Sequence, residues 1–134
     1  QIGSSTIKNK KAIDDSLHIG LNFSMMRFWD KELFNYSKEK DFLLIPGLRK
    51  LNHLNEAISC NCKIIKLYPV KEIEQTLDIN NFKKIIFIGA GDLSIKDLED
   101  YKSFGFNAIV IGQKAFNGKN FDPHISKYLK TKLN

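Results

Sequence analysis

Proline, cysteine and arginine are all scarce in this chain, and each scarcity excludes something. Three prolines and eight glycines in 134 residues leave no room for a collagen-like, low-complexity or globally disordered chain. The two cysteines, Cys60 and Cys62, stand one residue apart. Two-cysteine zinc and redox motifs need two intervening residues, and a disulfide across a single residue is strained. His18, His53 and His124 are scattered. No metal site and no cofactor are expected, and the cysteine usage fits a reducing compartment. Arginine occurs only at positions 27 and 49, whereas nucleic-acid readers favour guanidinium for bidentate contacts. The net charge of +6 is spread over lysines, with one short cluster at Lys8, Lys10 and Lys11 that carries no aromatic platform. It reads as a solvated surface rather than a nucleic-acid footprint. Long apolar runs are missing too. A run such as Phe42 to Pro46 cannot span a bilayer, and Gln1 to Lys11 lacks the apolar core of a secretory signal. No membrane partner is expected, and the cytoplasm is the expected compartment.

What is present is a period. Hydrophobic residues make up 43% and charged residues 27% of the chain, as in ordinary globular proteins. Six β-rich runs occur: Ile2 to Ile7, Asn22 to Met26, Phe42 to Pro46, Lys63 to Tyr68, Lys84 to Ile88 and Ala108 to Ile111. Their starts fall about 20 residues apart, with helix-period segments between them. Leu51, Leu54 and Ile58 make one apolar stripe, and Leu98, Tyr101 and Phe104 another. Asp30 is placed to cap the helix carrying Leu33 and Phe34. Ser94 and Asp97 have the spacing of a capping box. The tail from Asp122, with Ile125, Tyr128 and Leu129, reads as a last amphipathic helix. Consecutive apolar positions at 42–45, 85–88 and 109–111 predict strands buried on both faces, as in a parallel sheet covered by helices. Two α/β architectures fit, a doubly wound open sheet or a (β/α)₈ barrel. The even spacing favours the barrel.

In both architectures chemistry collects at the C-terminal ends of strands. Those positions hold Thr6, Met26-Arg27, Pro46-Gly47, Lys66 to Tyr68, Gly89 to Gly91 and Gly112-Gln113. Alternation places Lys66 on one face with Ile64 and Tyr68. A lysine on a dry sheet face loses hydration, which favours the neutral amine, and a neutral amine adds to carbonyls. The competing reading is a lysine that snorkels from the strand end to solvent. Gly89-Ala90-Gly91, taken as a turn after a strand and before the Ser94 helix, offers backbone N–H groups to an anion. Asp92 opposes that reading, and a plain βα turn is its alternative.

These residues resemble the KDPG/KHG aldolases, the class I enzymes acting on 2-keto-3-deoxy-6-phosphogluconate. The likeness runs from Ile2-Gly3-Ser4-Ser5-Thr6-Ile7, through Ile45-Pro46-Gly47-Leu48, to Ile65-Lys66-Leu67-Tyr68-Pro69, with Gly20, Gly105 and Gly112 at family glycine positions. It implies a (β/α)₈ TIM barrel, of which residues 1–134 form one partial domain of about six βα units, the first two being absent. It makes Lys66 the Schiff-base lysine, Thr6 a neighbour of the pyruvate carboxylate and Tyr68 a wall of the site. It aligns Ala90, Gly91 and Asp92 with a phosphate loop, and Gln113 with a phosphate-binding serine. Arg27 takes a proline's place and stands where it can hold a carboxylate or phosphate. The family's general acid/base glutamate and a substrate-binding arginine belong to the absent units.

The resemblance therefore implies a carbon–carbon lyase. It would cleave 2-keto-3-deoxy-6-phosphogluconate or a related 2-keto acid to pyruvate and an aldehyde, with a small 2-keto acid or sugar-acid phosphate as ligand and a homotrimer as the assembly. The alternative is a degenerate, non-catalytic member that binds an anionic metabolite or a partner. A nucleotide-binding open sheet rests on Gly89-Ala90-Gly91 alone.

Overall fold

A computed structural model describes residues 1–73 and 77–133. All six β-rich runs contain strands. The element order is β1 (Gly3–Ile7), α1 (Lys10–His18), β2 (Phe23–Met26), α2 (Lys31–Glu39), β3 (Leu43–Ile45), β4 (Gly47–Leu48) and α3 (Leu51–Ser59). There follow β5 (Ile64–Leu67), α4 (Val70–Ile73), β6 (Ile86–Leu93), α5 (Leu98–Ser103), β7 (Ala108–Ile111), the hairpin strands β8 (Phe116–Asn117) and β9 (Asn120–Phe121), and α6 (Pro123–Leu133). β1, β2 and β3 pair in that order, as do β4, β5, β6 and β7, and all these pairings are parallel. Within each of these two ladders every strand lies beside the next in the chain. The two ladders meet at Pro46, which has no N–H to donate. The segment bonds to β2 before the proline and to β5 after it, and the Pro46 carbonyl itself accepts the Lys66 N–H at 2.9 Å.

Local chemistry sets the helix ends. The Asp30 carboxylate accepts the Leu33 N–H at 2.9 Å, as its position predicts, and Asn9 does the same for Ala12. Ser94 and Asp97 form the expected capping box, but it opens a 3-10 turn that leads into α5. Four helices leave through one device: Gly20, Asp41, Asn61 and Gly105 all have positive φ, and the next residue's N–H reaches back to a carbonyl five positions earlier. This is the Schellman exit. After two of these exits an asparagine begins the return to the sheet. Asn22 Oδ1 accepts the Ile2 N–H, and Asn107 Oδ1 the Phe87 N–H, both at 2.9 Å.

The strand register sorts side chains into two faces. The helix-facing side holds Ser24, Leu44, Ile65, Leu67 and Phe87, buried with Ile13, Leu33, Phe34, Leu54, Ala57, Tyr101 and Phe106. The opposite face carries Gly3, Ser5, Phe23, Met25, Leu43, Ile45, Ile64, Lys66, Ile86, Ile88, Ala90, Ala108 and Val110. Here the expectation of burial on both faces fails in part. Ile45, Lys66, Ile88 and Ala90 are buried, but Leu43 is 46% and Ile86 44% exposed, and Ala108 on the outer strand β7 is open. Consecutive apolar residues record which positions can be covered, while actual cover depends on what packs above them.

Other expectations need correction. Lys84 and Ile85 lie in a turn before β6. Gly89-Ala90-Gly91 belongs to β6 itself, so the anticipated glycine turn is a bulged strand end. Leu51, Phe104 and Leu129 are exposed, so each predicted stripe is narrower than its spacing suggests.

Gly47 is required by a close approach. A Cβ there would stand 2.2 Å from the Arg27 carbonyl oxygen and 2.7 Å from that of Met26, both backbone atoms. Gly47→Ala must therefore push β2 and β4 apart. Urea unfolding should show a loss of about 2–3 kcal/mol, in the range of overpacked cores. Gly112→Ala, where nothing lies within 4 Å of the added carbon, should change stability by well under about 1 kcal/mol.

Candidate functional site

Lys66 sits on β5, between β4 and β6, paired with Gly47 on one side and Ile88 on the other. Its side chain is 8% exposed. Among the described residues Nζ has no hydrogen-bond or ion-pair partner, yet no sealed polar atom is left unsatisfied. The ammonium therefore keeps a narrow opening to solvent. Burial lowers its pKa from the ordinary 10.5, because desolvation penalises the charged form. No paired inner-face position of the described strands carries a carboxylate; Asp92 stands unpaired in the β6 bulge.

Past this amine, contacts at the strand ends centre on Tyr68. Tyr68, two residues on, is half-buried. The Arg27 guanidinium lies 5.8 Å from the Tyr68 ring centre and 5.2 Å from that of Phe28. Arg27 is exposed and has no hydrogen-bond or ion-pair partner among the described residues. On the other side of Tyr68 stands Gly91: a Cβ there would lie 3.0 Å from Pro69 Cα and 3.5 Å from Tyr68 Cδ2. Ala90 is buried on the inner face beside Val110. Arg27 and Gly91 thus both border Tyr68, and Ala90 shares the sheet face of Lys66.

Thr6 and Gln113 are placed differently. Thr6 ends β1, two strands from β4, in a register shift with φ 67° and its side chain exposed. A β-branched residue in the left-handed region costs about 1–3 kcal/mol, so this bulge is a strained feature at a strand end. Gln113 is exposed and opens a short 3-10 turn after β7.

Two participants escaped the sequence reading. Phe28 completes the aromatic flank of Arg27. Lys114 reaches back to the β6 end, where Nζ stands 2.9 Å from Asp92 Oδ2 and 2.9 Å from the Asp92 carbonyl oxygen. The available signal was the period, since Asp92 and Lys114 are 22 residues apart.

No protein-family model and no curated protein matches the sequence. Solved structures do match. The KDPG aldolase of Legionella pneumophila, with pyruvate captured at low pH as a covalent carbinolamine intermediate, is 18% identical with a TM-score of 0.73, over 85% of this chain and 60% of that one. The 2-keto-3-deoxy-6-phosphogluconate aldolase of Zymomonas mobilis ZM4, with 3-phosphoglycerate, is 15% identical with a TM-score of 0.74, over 95% of this chain and 63% of that one. A cube-shaped protein cage designed by fusing symmetric oligomeric domains is 14% identical with a TM-score of 0.74, over 89% of this chain and 46% of that one. The chain thus has the α/β fold of KDPG aldolases and spans about half to two thirds of the length of these structures.

Burial of Lys66 makes a signed prediction. The folded state releases this proton before the unfolded state does, so the unfolded chain holds more protons in the window below pH 10.5, and stability contributed by this site rises with pH there. Lys66→Met should be more stable than the parent at pH 7 by about 1–3 kcal/mol. That difference should shrink as the pH climbs towards 10.5. Paired urea titrations across this range read the difference directly, and a pH-independent difference would refute it.

Proposed function

We propose that this chain is the Schiff-base portion of a class I aldolase, and that Lys66 is its nucleophile. The observation that carries the reading is a buried lysine, without a counter-ion among the described residues, on the central strand of a fold shared with KDPG aldolases. The finer architecture proposed is a (β/α)₈ barrel of which residues 1–134 form one partial domain of about six units. A small buried inner-face group, Ile45, Lys66, Ile88 and Ala90, distinct from the helix-facing core, supports it. A homotrimer and a cytoplasmic location complete the reading; no helix among the described residues is long and apolar enough to cross a membrane.

The chemistry follows from the neutral amine. Nζ adds to C2 of a 2-oxo acid, and the carbonyl oxygen leaves as water with one proton from the amine and one from solvent. Breaking C3–C4 sends its electron pair into the iminium, giving an enamine. The C4 hydroxyl proton passes to solvent and an aldehyde departs. Protonation at C3 and hydrolysis release pyruvate and restore Lys66. Arg27 would take the C1 carboxylate by its free N–H edge, with Tyr68 between it and Gly91. Thr6 contributes a hydroxyl at the far strand end, and Ala90, Gly91 and Gln113 border the outgoing side.

No paired inner-face position of the described strands offers a carboxylate to shuttle protons, which costs about 10²–10⁴-fold in rate. The same observation favours a second reading, a non-catalytic member that captures a 2-oxo acid without turning it over.

Incubation with pyruvate and borohydride should add the reduced pyruvyl mass to the peptide containing Lys66. Arg27→Ala should raise the half-saturating pyruvate concentration about 10- to 100-fold, as loss of a charge-assisted pair does. An unmodified Lys66 in folded protein would sink the proposal. Adduct without aldehyde release from a keto acid would select the non-catalytic reading.

A further inference from the structure

We propose that Asp92, Lys114 and the Ser94–Asp97 turn make this a site for 2-oxo acids whose far end is uncharged, and turn phosphorylated ones away. The inference rests on Lys66 as the carbonyl-binding amine.

A trigonal C2 held at Lys66 sends C1 and C3 in diverging directions. Arg27, at the β2 end, is the cation with a free edge; its faces are flanked by Phe28 and Tyr68, which leaves the N–H fork for a carboxylate. The chain beyond C3 then runs past Tyr68 towards Gly91 and the ends of β6 and β7.

Lys114 and Ser94 at that end are already engaged by the protein's own carboxylates. Lys114 Nζ is bound to Asp92 through both the carboxylate and the carbonyl oxygen. The Ser94 N–H and the Ser94 hydroxyl both donate to Asp97 Oδ2 at 2.7 Å. The Ser94 bonds hold the Asp97 carboxyl below its usual range, and Lys71 and Lys114 act on it in the same direction. Two carboxylates thus face two lysines here, with the serine donors engaged as well. A phosphate arriving at this turn would have to displace a carboxylate and then stand beside it.

The bulge fixes that arrangement. Gly91 and Asp92 have φ of 116° and 52°, and β6 shifts register between Ala90 and Leu93. Aspartate is among the few side chains that adopt the left-handed region readily, and here its carboxylate closes on the lysine of the next strand end. A neutral hydroxyl, by contrast, is compatible with all of these pairs.

The test compares capture rather than turnover, so it does not depend on proton shuttling. Lys66 is trapped by reduction with pyruvate, with 2-keto-3-deoxy-6-phosphogluconate, and with the same six-carbon acid lacking the phosphate. In the parent the unphosphorylated acid should half-saturate Lys66 at a concentration about tenfold below the phosphorylated one, the scale of a dianion meeting a carboxylate near solvent. Asp92→Asn should bring the two within about twofold and leave pyruvate unchanged, because it frees Lys114 without touching the Arg27 end. Lys114→Gln should widen the gap. Both positions are exposed, and circular dichroism confirms folding. Equal or better capture of the phosphorylated acid by the parent, or a ratio unmoved in Asp92→Asn, overturns this proposal alone. Absence of a pyruvate adduct overturns the Lys66 reading and this one with it.

Discussion

Parallel pairing of each strand with its successor, within the β1–β3 and β4–β7 ladders, is the constraint on which the other strand-end contacts depend. Such a pairing requires a crossover, and here one helix and two turns fill it. Gly3 sits opposite Phe23, Phe23 opposite Leu43, Gly47 opposite Lys66, Ile64 opposite Ile86 and Ile88 opposite Ala108. Five polar side-chain pairs accordingly join residues about one unit apart. Ser4 meets Ser24, Lys10 meets Glu32, Asp14 meets Tyr36, Arg49 meets Glu72 and Asp92 meets Lys114. Most of these pairs are solvent-exposed and individually weak. Their common spacing is a consequence of the register, and the buried helix-facing core supplies the cohesion.

That constraint explains what the sequence disclosed and what it hid. The period of about 20 residues was visible because each unit repeats the same succession of apolar strand and helix. Asp30 and Ser94 were visible because caps depend on residues three apart. Leu43 and Ile86 were misjudged because a covered aliphatic and an open one look alike in a sequence; only the third dimension says what lies above the sheet. Phe104 was misjudged because it fills a helix exit, where the spacing of the stripe no longer maps onto a buried face. The two bulges left no trace either. Ser4-Ser5-Thr6 and Ala90-Gly91-Asp92 read as ordinary strand and turn, and the register shift emerges only when each is laid against its neighbour.

Alternation put Lys66 on one face with Ile64 and Tyr68 but left burial and snorkelling both open until the structure showed it buried, and the resemblance to KDPG aldolases is matched by the fold. Its surroundings were less so. Lys114 lies 22 residues from Asp92, too far for any local motif, and was reachable only by applying the period to polar residues as well as apolar ones. The same rule relates the strand ends generally: a residue at one C-terminal end reports on its counterpart one unit away.

Fold and chemistry separate at this point. At identities of 15–18% to solved KDPG aldolases, what persists is the pattern that parallel register demands: apolar alternation, small residues at close approaches, left-handed helix exits. None of these specifies a ligand. The ligand is decided by a handful of side chains on bulges and turns, which can change without disturbing the ladders. Asp92 and Lys114 are such a pair. Asp92 lies in the β6 bulge, just before the last pair Leu93–Ile111, and Lys114 lies in the turn after β7. In the proposed site they set whether the outgoing end presents Lys114 free to an anion or already bound to Asp92. The fold match therefore leaves the chemistry at Lys66 to the proposed reading, and within that reading the charge balance at the β6 and β7 ends selects the substrate.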